Sequence, residues 1–105
     1  MDSNFELADT SLNASLDYDN AIHITSFQNG SNQYTAPSNG ILYVSVGANG
    51  WSSVIRIKNS SNEEVVIVQV NTAWSCVPVP LKKNQSINVF LEDARSLNVY
   101  FVPYA

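Results

Sequence analysis

Charge is what this chain has least of. Asp, Glu, Lys and Arg make up 13 % of its 105 residues, about half of the roughly 25 % typical of soluble proteins. Basic residues are the scarcer sign: Lys and Arg number 5 against 9 Asp and Glu, for a net charge of −4. No Lys or Arg occurs among residues 1–20, where Asp2, Glu6, Asp9, Asp17 and Asp19 lie, and Arg56, Lys58, Lys82, Lys83 and Arg95 are dispersed over the second half. Binding nucleic acid needs a basic face that displaces counterions from phosphates. That class is excluded.

Other absences narrow the field further. A single cysteine, Cys76, leaves no internal disulfide to form. No apolar run approaches the roughly 18 residues of a membrane-crossing helix. The N-terminus lacks the basic and apolar regions of a signal peptide, so the expected route outside a cell is as a mature fragment or as part of an assembled particle. No segment sustains a helical apolar period. The 4 glycines are scattered and make no phosphate-cradling loop.

Candidate catalytic and metal-binding residues are equally thin. His23 is the only histidine and stands inside a strand-like run. A metal site wants several ligands converging, and none is spaced for it. Cys76, between Trp74 and Pro78, has no acidic, basic or imidazole company in sequence and reads as a buried apolar filler. Glu63-Glu64 and Glu92-Asp93 are neighbours in turns, whereas glycosidase carboxylates must face each other across a substrate. No catalytic residue, metal or cofactor is expected.

Small neutral polar residues take the place of charge: 14 Ser and 13 Asn stand beside a 45 % content of aliphatic and aromatic side chains. One modest globular core is expected, with residues 1–20 as an acidic arm or linker and 21–105 as the domain. From Ala21 onward the chain is a succession of short runs: "AIHITSF", "GILYVSVGA", "SVIRIK", "EVVIVQVN", "WSCVPV", "QSINVFL" and "SLNVYFVPY". Their Val, Ile, Tyr and Phe suit a pleated, half-buried surface. Asn-Gly pairs at 29–30, 39–40 and 49–50 offer the positive φ that tight turns require. Short strands at this spacing predict an all-β antiparallel sandwich or barrel.

Alternation adds a second expectation. Leu42, Val44 and Val46 share one strand face, as do Leu97, Val99 and Phe101, and these fill the core. Tyr43, Tyr100, Val102 and Tyr104 then lie on the opposite face with nothing to pack against. Tyrosine is favoured at interfaces, so these four are assigned to contact with another subunit.

These residues resemble a family. "YTAPSNGILYVSV" is similar to the aromatic-x-x-Pro-x-x-Gly-apolar-Tyr strand opening of the tumour-necrosis-factor-like jelly roll. That opening is shared by the globular head of complement component one q and by many bacteriophage fibre tips. "PLKKNQSINVFL" resembles the family's Leu-Lys-Lys-Gly-Asp-x-apolar segment, with Asn84-Gln85 where Gly-Asp is usual, and "LNVYFVPYA" resembles its closing strand. The match covers residues 33–46 and 78–104. Asn tolerates a left-handed turn nearly as well as Gly, so the departure is compatible with the fold. The resemblance implies three copies around a threefold axis, with Tyr100 at the axis-facing position and Phe101 in the core.

Trp51 and Trp74 remain. Trp51 follows "GANG" in a loop and is read first as a lid over the sandwich edge. The other reading is a receptor site in which Trp51 stacks on a sugar while Asn49 and Asn59 bond its hydroxyls. The sequence therefore points to a non-enzymatic, homotrimeric jelly-roll tip of a phage tail or head fibre, displayed on the virion surface. Its expected partners are other virion proteins and a host surface glycan or protein receptor. The alternative is a monomeric, secreted or surface carbohydrate-binding module.

Overall fold

The structure, a computed structural model, describes residues 15–71 and 73–105. Among these are eight strands: β1 Ile22–Ile24, β2 Gly30–Thr35, β3 Gly40–Ala48, β4 Ser53–Lys58, β5 Glu64–Val70, β6 Trp74–Leu81, β7 Ser86–Glu92 and β8 Ala94–Pro103. Two single 3-10 turns, Tyr18–Asn20 and Gly50–Ser52, complete the regular structure. The strands form two antiparallel sheets of four, in the orders β1-β8-β3-β6 and β2-β7-β4-β5. The chain is an all-β sandwich.

The pairing is nested. β1 pairs with β8, β2 with β7, β3 with β6 and β4 with β5, while β3–β8 and β4–β7 contacts join these pairs into sheets. Alternation sends Leu42, Val44 and Val46 of β3, Val99 and Phe101 of β8, Ile55 and Ile57 of β4 and Val89 and Leu91 of β7 into one shared core. Leu97 packs against its margin. The expected core face of β3 and β8 is the observed one.

β2 departs from expectation. "GSNQYT" is not among the apolar runs, because its inward positions are Asn32 and Tyr34 rather than aliphatic residues, with Ser31, Gln33 and Thr35 outward. Asn32 is buried and uses its whole amide: Oδ1 accepts from the Gln28 N–H at 2.9 Å, and Nδ2 donates to the carbonyls of Gln28, Val89 and Gly30. A hydrogen-bonding side chain thus does in β2 what an aliphatic does elsewhere. Asn32→Ala is expected to cost about 1–3 kcal/mol, since it orphans buried backbone groups. Asn32→Asp should cost more at neutral pH, because a carboxylate cannot donate to the three carbonyls. Urea midpoints of the two variants check the order.

Glycine also works differently from expectation at one position. Gly30 and Gly50 have φ of 101° and 75°, as Asn-Gly turns require. Gly40 has no positive φ and opens β3 as a buried strand residue. A Cβ there would run into the Val102 carbonyl oxygen and approach Phe101 Cζ at 2.6 Å and Pro103 Cα at 2.9 Å. Gly40 supplies room, not a turn. Asn84 does adopt the left-handed conformation expected of it, with φ of 70°.

The last described part of the expected arm is tied to the domain. The Asp17 N–H donates to the Pro103 carbonyl and the Ala105 N–H to the Ser15 carbonyl, each at 2.8 Å, and Leu16 bridges to Tyr104. The remainder of the arm, residues 1–14, lies outside the described residues.

Candidate functional site

The two outer faces of the sandwich differ sharply. On the β2-β7-β4-β5 sheet the outward residues mix apolar side chains, Val54, Phe90, Val65 and Ile67, with charged and polar ones bonded to one another. Arg56 Nε donates to Glu92 at 2.7 Å and its Nη1 to Glu64 at 3.0 Å, Thr35 meets Ser86 at 2.7 Å, and Asn88 Nδ2 donates to Ser31 at 2.6 Å. Two carboxylates of the acidic pairs, Glu64 and Glu92, are thereby joined to one guanidinium rather than left free in turns. Lys58 Nζ stands over the outward Phe90 ring, 5.5 Å from its centroid.

On the outer face of β1-β8-β3-β6 the rows paired in register carry no Asp, Glu, Lys or Arg; Arg95, exposed on β8 where the β3–β8 register shifts, lies beyond them. Strand register lays these rows across the sheet. One row is His23, Tyr100, Tyr43 and Pro78, and the next is Val102, Ile41 and Pro80. On the other side of the first lie Asn98, Ser45 and Cys76, then Ser96, Gly47 and Trp74. His23 stacks on Tyr100 with ring centroids 4.6 Å apart and planes 16° from parallel. Tyr100 and Tyr104 are 36 % and 38 % exposed. Partial burial, with lesser effects from neighbouring Tyr18, Cys76 and Tyr104, pushes the Tyr43 phenol above its ordinary value, so it stays neutral. β6 can hold Pro78 and Pro80 because it is an edge strand, where an outward-pointing N–H is dispensable.

Two expectations about this face change. Val102, assigned to a subunit interface, is only 4 % exposed in the single chain and has little surface left for a partner; Ile41, beside it in register, was not singled out. Cys76, read as a buried filler, is exposed, because alternation along β6 turns Val77 and Val79 inward and Cys76 out. At one end of the face a cleft of about 400 Å³ opens between Tyr104, Pro80, Gly40, Leu81, Asn39, Lys82 and Gln85.

A second apolar patch lies on the other sheet. β5 pairs only with β4, so its far side is an open strand edge. Val65 and Ile67 are each 58 % exposed there. Long apolar edges left open invite strand pairing or packing.

The opposite corner is polar around one aromatic. Residues 49–52 link β3 to β4, and the β7–β8 turn brings Asp93 against them and against Ser53 at the start of β4. Asn49 Nδ2 donates to Asp93 Oδ1 at 3.0 Å, Ser52 Oγ donates to Asp93 Oδ2, and Ser53 Oγ donates to the Asp93 carbonyl at 2.7 Å. The bonds from Ser52 and then Asn49 hold the Asp93 carboxyl below the usual carboxylate range. Trp51, on the 3-10 turn between them, is 76 % exposed, and its carbonyl accepts from Gln69 Nε2. The lid reading of Trp51 fails: its backbone is pinned from both sides while its ring stands in water.

Asn59 does not join this corner. All of β4 separates it from Trp51, and its side chain organises its own turn, accepting from Ser61 and Glu63 N–H groups at 3.0 and 2.9 Å and donating to the Glu63 carboxylate. Asp93 stands where Asn59 was expected. Only its position in a tight turn with φ of 52°, opposite the Asn49 loop, reveals it, and that is a tertiary fact. Among the described residues, no three of His, Cys, Asp and Glu converge to hold a metal, and no helix is long and apolar enough to cross a membrane.

Comparison of the chain with protein-family models, with curated proteins and with solved structures finds no match in any of the three. What the chain does must be argued from its surfaces.

Proposed function

We propose that this protein is a non-enzymatic assembly and adhesion domain, a homotrimeric jelly-roll tip of a phage fibre exposed on the virion surface. The observation that carries the reading is the set of uncharged rows on the β1-β8-β3-β6 face, with Tyr43, Tyr100 and Tyr104 half-open to solvent beside Ile41, Pro78 and Pro80. Rows without charge and rich in Tyr suit the core of an interface, from which charged residues are depleted. A closed ring of identical subunits needs two different patches that meet head to tail, and the apolar β5 edge is available as the second. The nested strand pairing supports the fold half of the reading, since rolling one ribbon of eight antiparallel strands produces that pairing. Three identical weak receptor sites on a rigid trimer would gain avidity together.

Light scattering tests the assembly. The parent is expected at three times the 11.5 kDa chain mass, and Tyr100→Asp at the single-chain mass with unchanged far-ultraviolet dichroism. Tyr100 is partly exposed, so the substitution should spare the fold while placing charge in the contact. A parent that stays at single-chain mass at tens of micromolar would leave the monomeric carbohydrate-binding module as the better reading.

A further inference from the structure

We infer that the corner built by Trp51, Asn49, Ser52 and Asp93 is a binding site for a neutral pyranose sugar, and that it is the receptor site of the domain. The inference deepens the adhesion half of the reading above and does not depend on the trimer, because every residue of the corner comes from one chain.

The first argument is the exposure of Trp51. Leaving an indole three-quarters exposed forgoes the burial that usually retains this side chain. The residue is nevertheless held in place. Gln69 Nε2 bonds its carbonyl, and its sequence neighbour Ser52 bonds Asp93. Asn49 N–H donates to Ser53 Oγ at 2.7 Å, which closes the loop behind it. Ordering a loop costs conformational entropy, and a ring presented on an ordered loop loses little more on binding. Rigid, exposed aromatics offer a flat apolar face, the complement of the C–H face of a pyranose.

The second argument is the chemistry beside the ring. An ionised carboxylate offers about four acceptor positions, of which Asn49 and Ser52 occupy two at Asp93. The rest are open to a pair of adjacent hydroxyls. The Asn49 amide keeps a second hydrogen to donate. Mixed donors and acceptors next to an apolar plate match a sugar, which is apolar on its ring faces and amphoteric at its rim. The lowered Asp93 carboxyl stays ionised at neutral pH, which selects against uronic acids, sialic acids and phosphates.

The test is a titration of the full chain with cellotetraose, tetra-N-acetylchitotetraose and a β-galactotetraose, followed by the Trp51 indole N–H resonance, assigned by its loss in Trp51→Phe. A saturable shift is expected with at least one of the three below roughly 20 mM, in the weak range usual for a single shallow site. Trp51→Ala should weaken that binding about tenfold or more, and Asp93→Ala should weaken it as well. No shift with any of the three, or binding that survives Trp51→Ala, overturns the site, as does tighter binding of polygalacturonate than of the neutral sugars. Light scattering on the same samples keeps the readings apart: a monomer that binds through Trp51 sinks only the trimer, and a trimer that ignores all three sugars sinks only the site.

Discussion

Gly40→Ala is expected to lower the stability of the domain by about 3 kcal/mol or more, at the upper end of what overpacking a core costs. The added methyl would meet the Val102 carbonyl, Pro103 Cα and the Phe101 ring together. Two of these are backbone, so no rotamer change relieves the clash; β3 and β8 would have to part where they pair. For a domain of this size such a loss lowers the melting temperature by more than about 10 °C. Gly50→Ala is the control. It too replaces a glycine, but with a φ of 75° and nothing within 4 Å of the new Cβ, so only local backbone strain is added, about 1 kcal/mol. Thermal melts of the two variants side by side decide the matter: comparable losses would show that Gly40 is not needed for close packing.

Phe101→Ala should destabilise by about 3–5 kcal/mol, as aromatic-to-alanine changes in closed cores do. Phe101 is wholly buried, lies 5.9 Å from the Tyr34 ring centroid to centroid, and reaches the space above Gly40. It connects the two sheets, because Tyr34 belongs to β2 and Phe101 to β8. Its sequence neighbour Tyr100 faces the other way, so packing at Phe101 and the proposed assembly at Tyr100 can be tested separately. Phe101→Ala should shift the denaturation midpoint while the folded fraction keeps the parent's mass, and Tyr100→Asp should change mass with little effect on single-chain folding. An unchanged midpoint for Phe101→Ala would mean that the sheets are held together elsewhere.

Much of this fold was legible before the structure. β3 and β4 have the boundaries their apolar runs suggest, and the core face of β3 and β8 follows from period-two alternation alone. That works because a strand facing one core must place every second residue there. β2 was not legible, because its inward position Asn32 is polar, and its bond to the Val89 carbonyl reaches 57 residues along the chain, where no local pattern announces it. Gly40 looked like a turn residue for the same reason: its meaning lies in Phe101 and Val102, brought over it by β8.

The candidate surfaces divide likewise. Tyr43, Tyr100 and Tyr104 could be set on one face from alternation, but Val102 could not be known to be closed over already. Trp51 and Asn49 could be picked out as a loop aromatic and a nearby amide. Pairing them with Asp93 rather than Asn59 needed the fold, since hydrogen-bond partners in the corner stand 41 and 44 residues apart in sequence. The sequence by itself determined the all-β class, the strand faces and the scarcity of charge, because these depend on residue type and on a spacing of two. The tertiary structure decided which loops meet, which aromatic stays in water and which strand edges remain open, because those depend on contacts between residues distant along the chain.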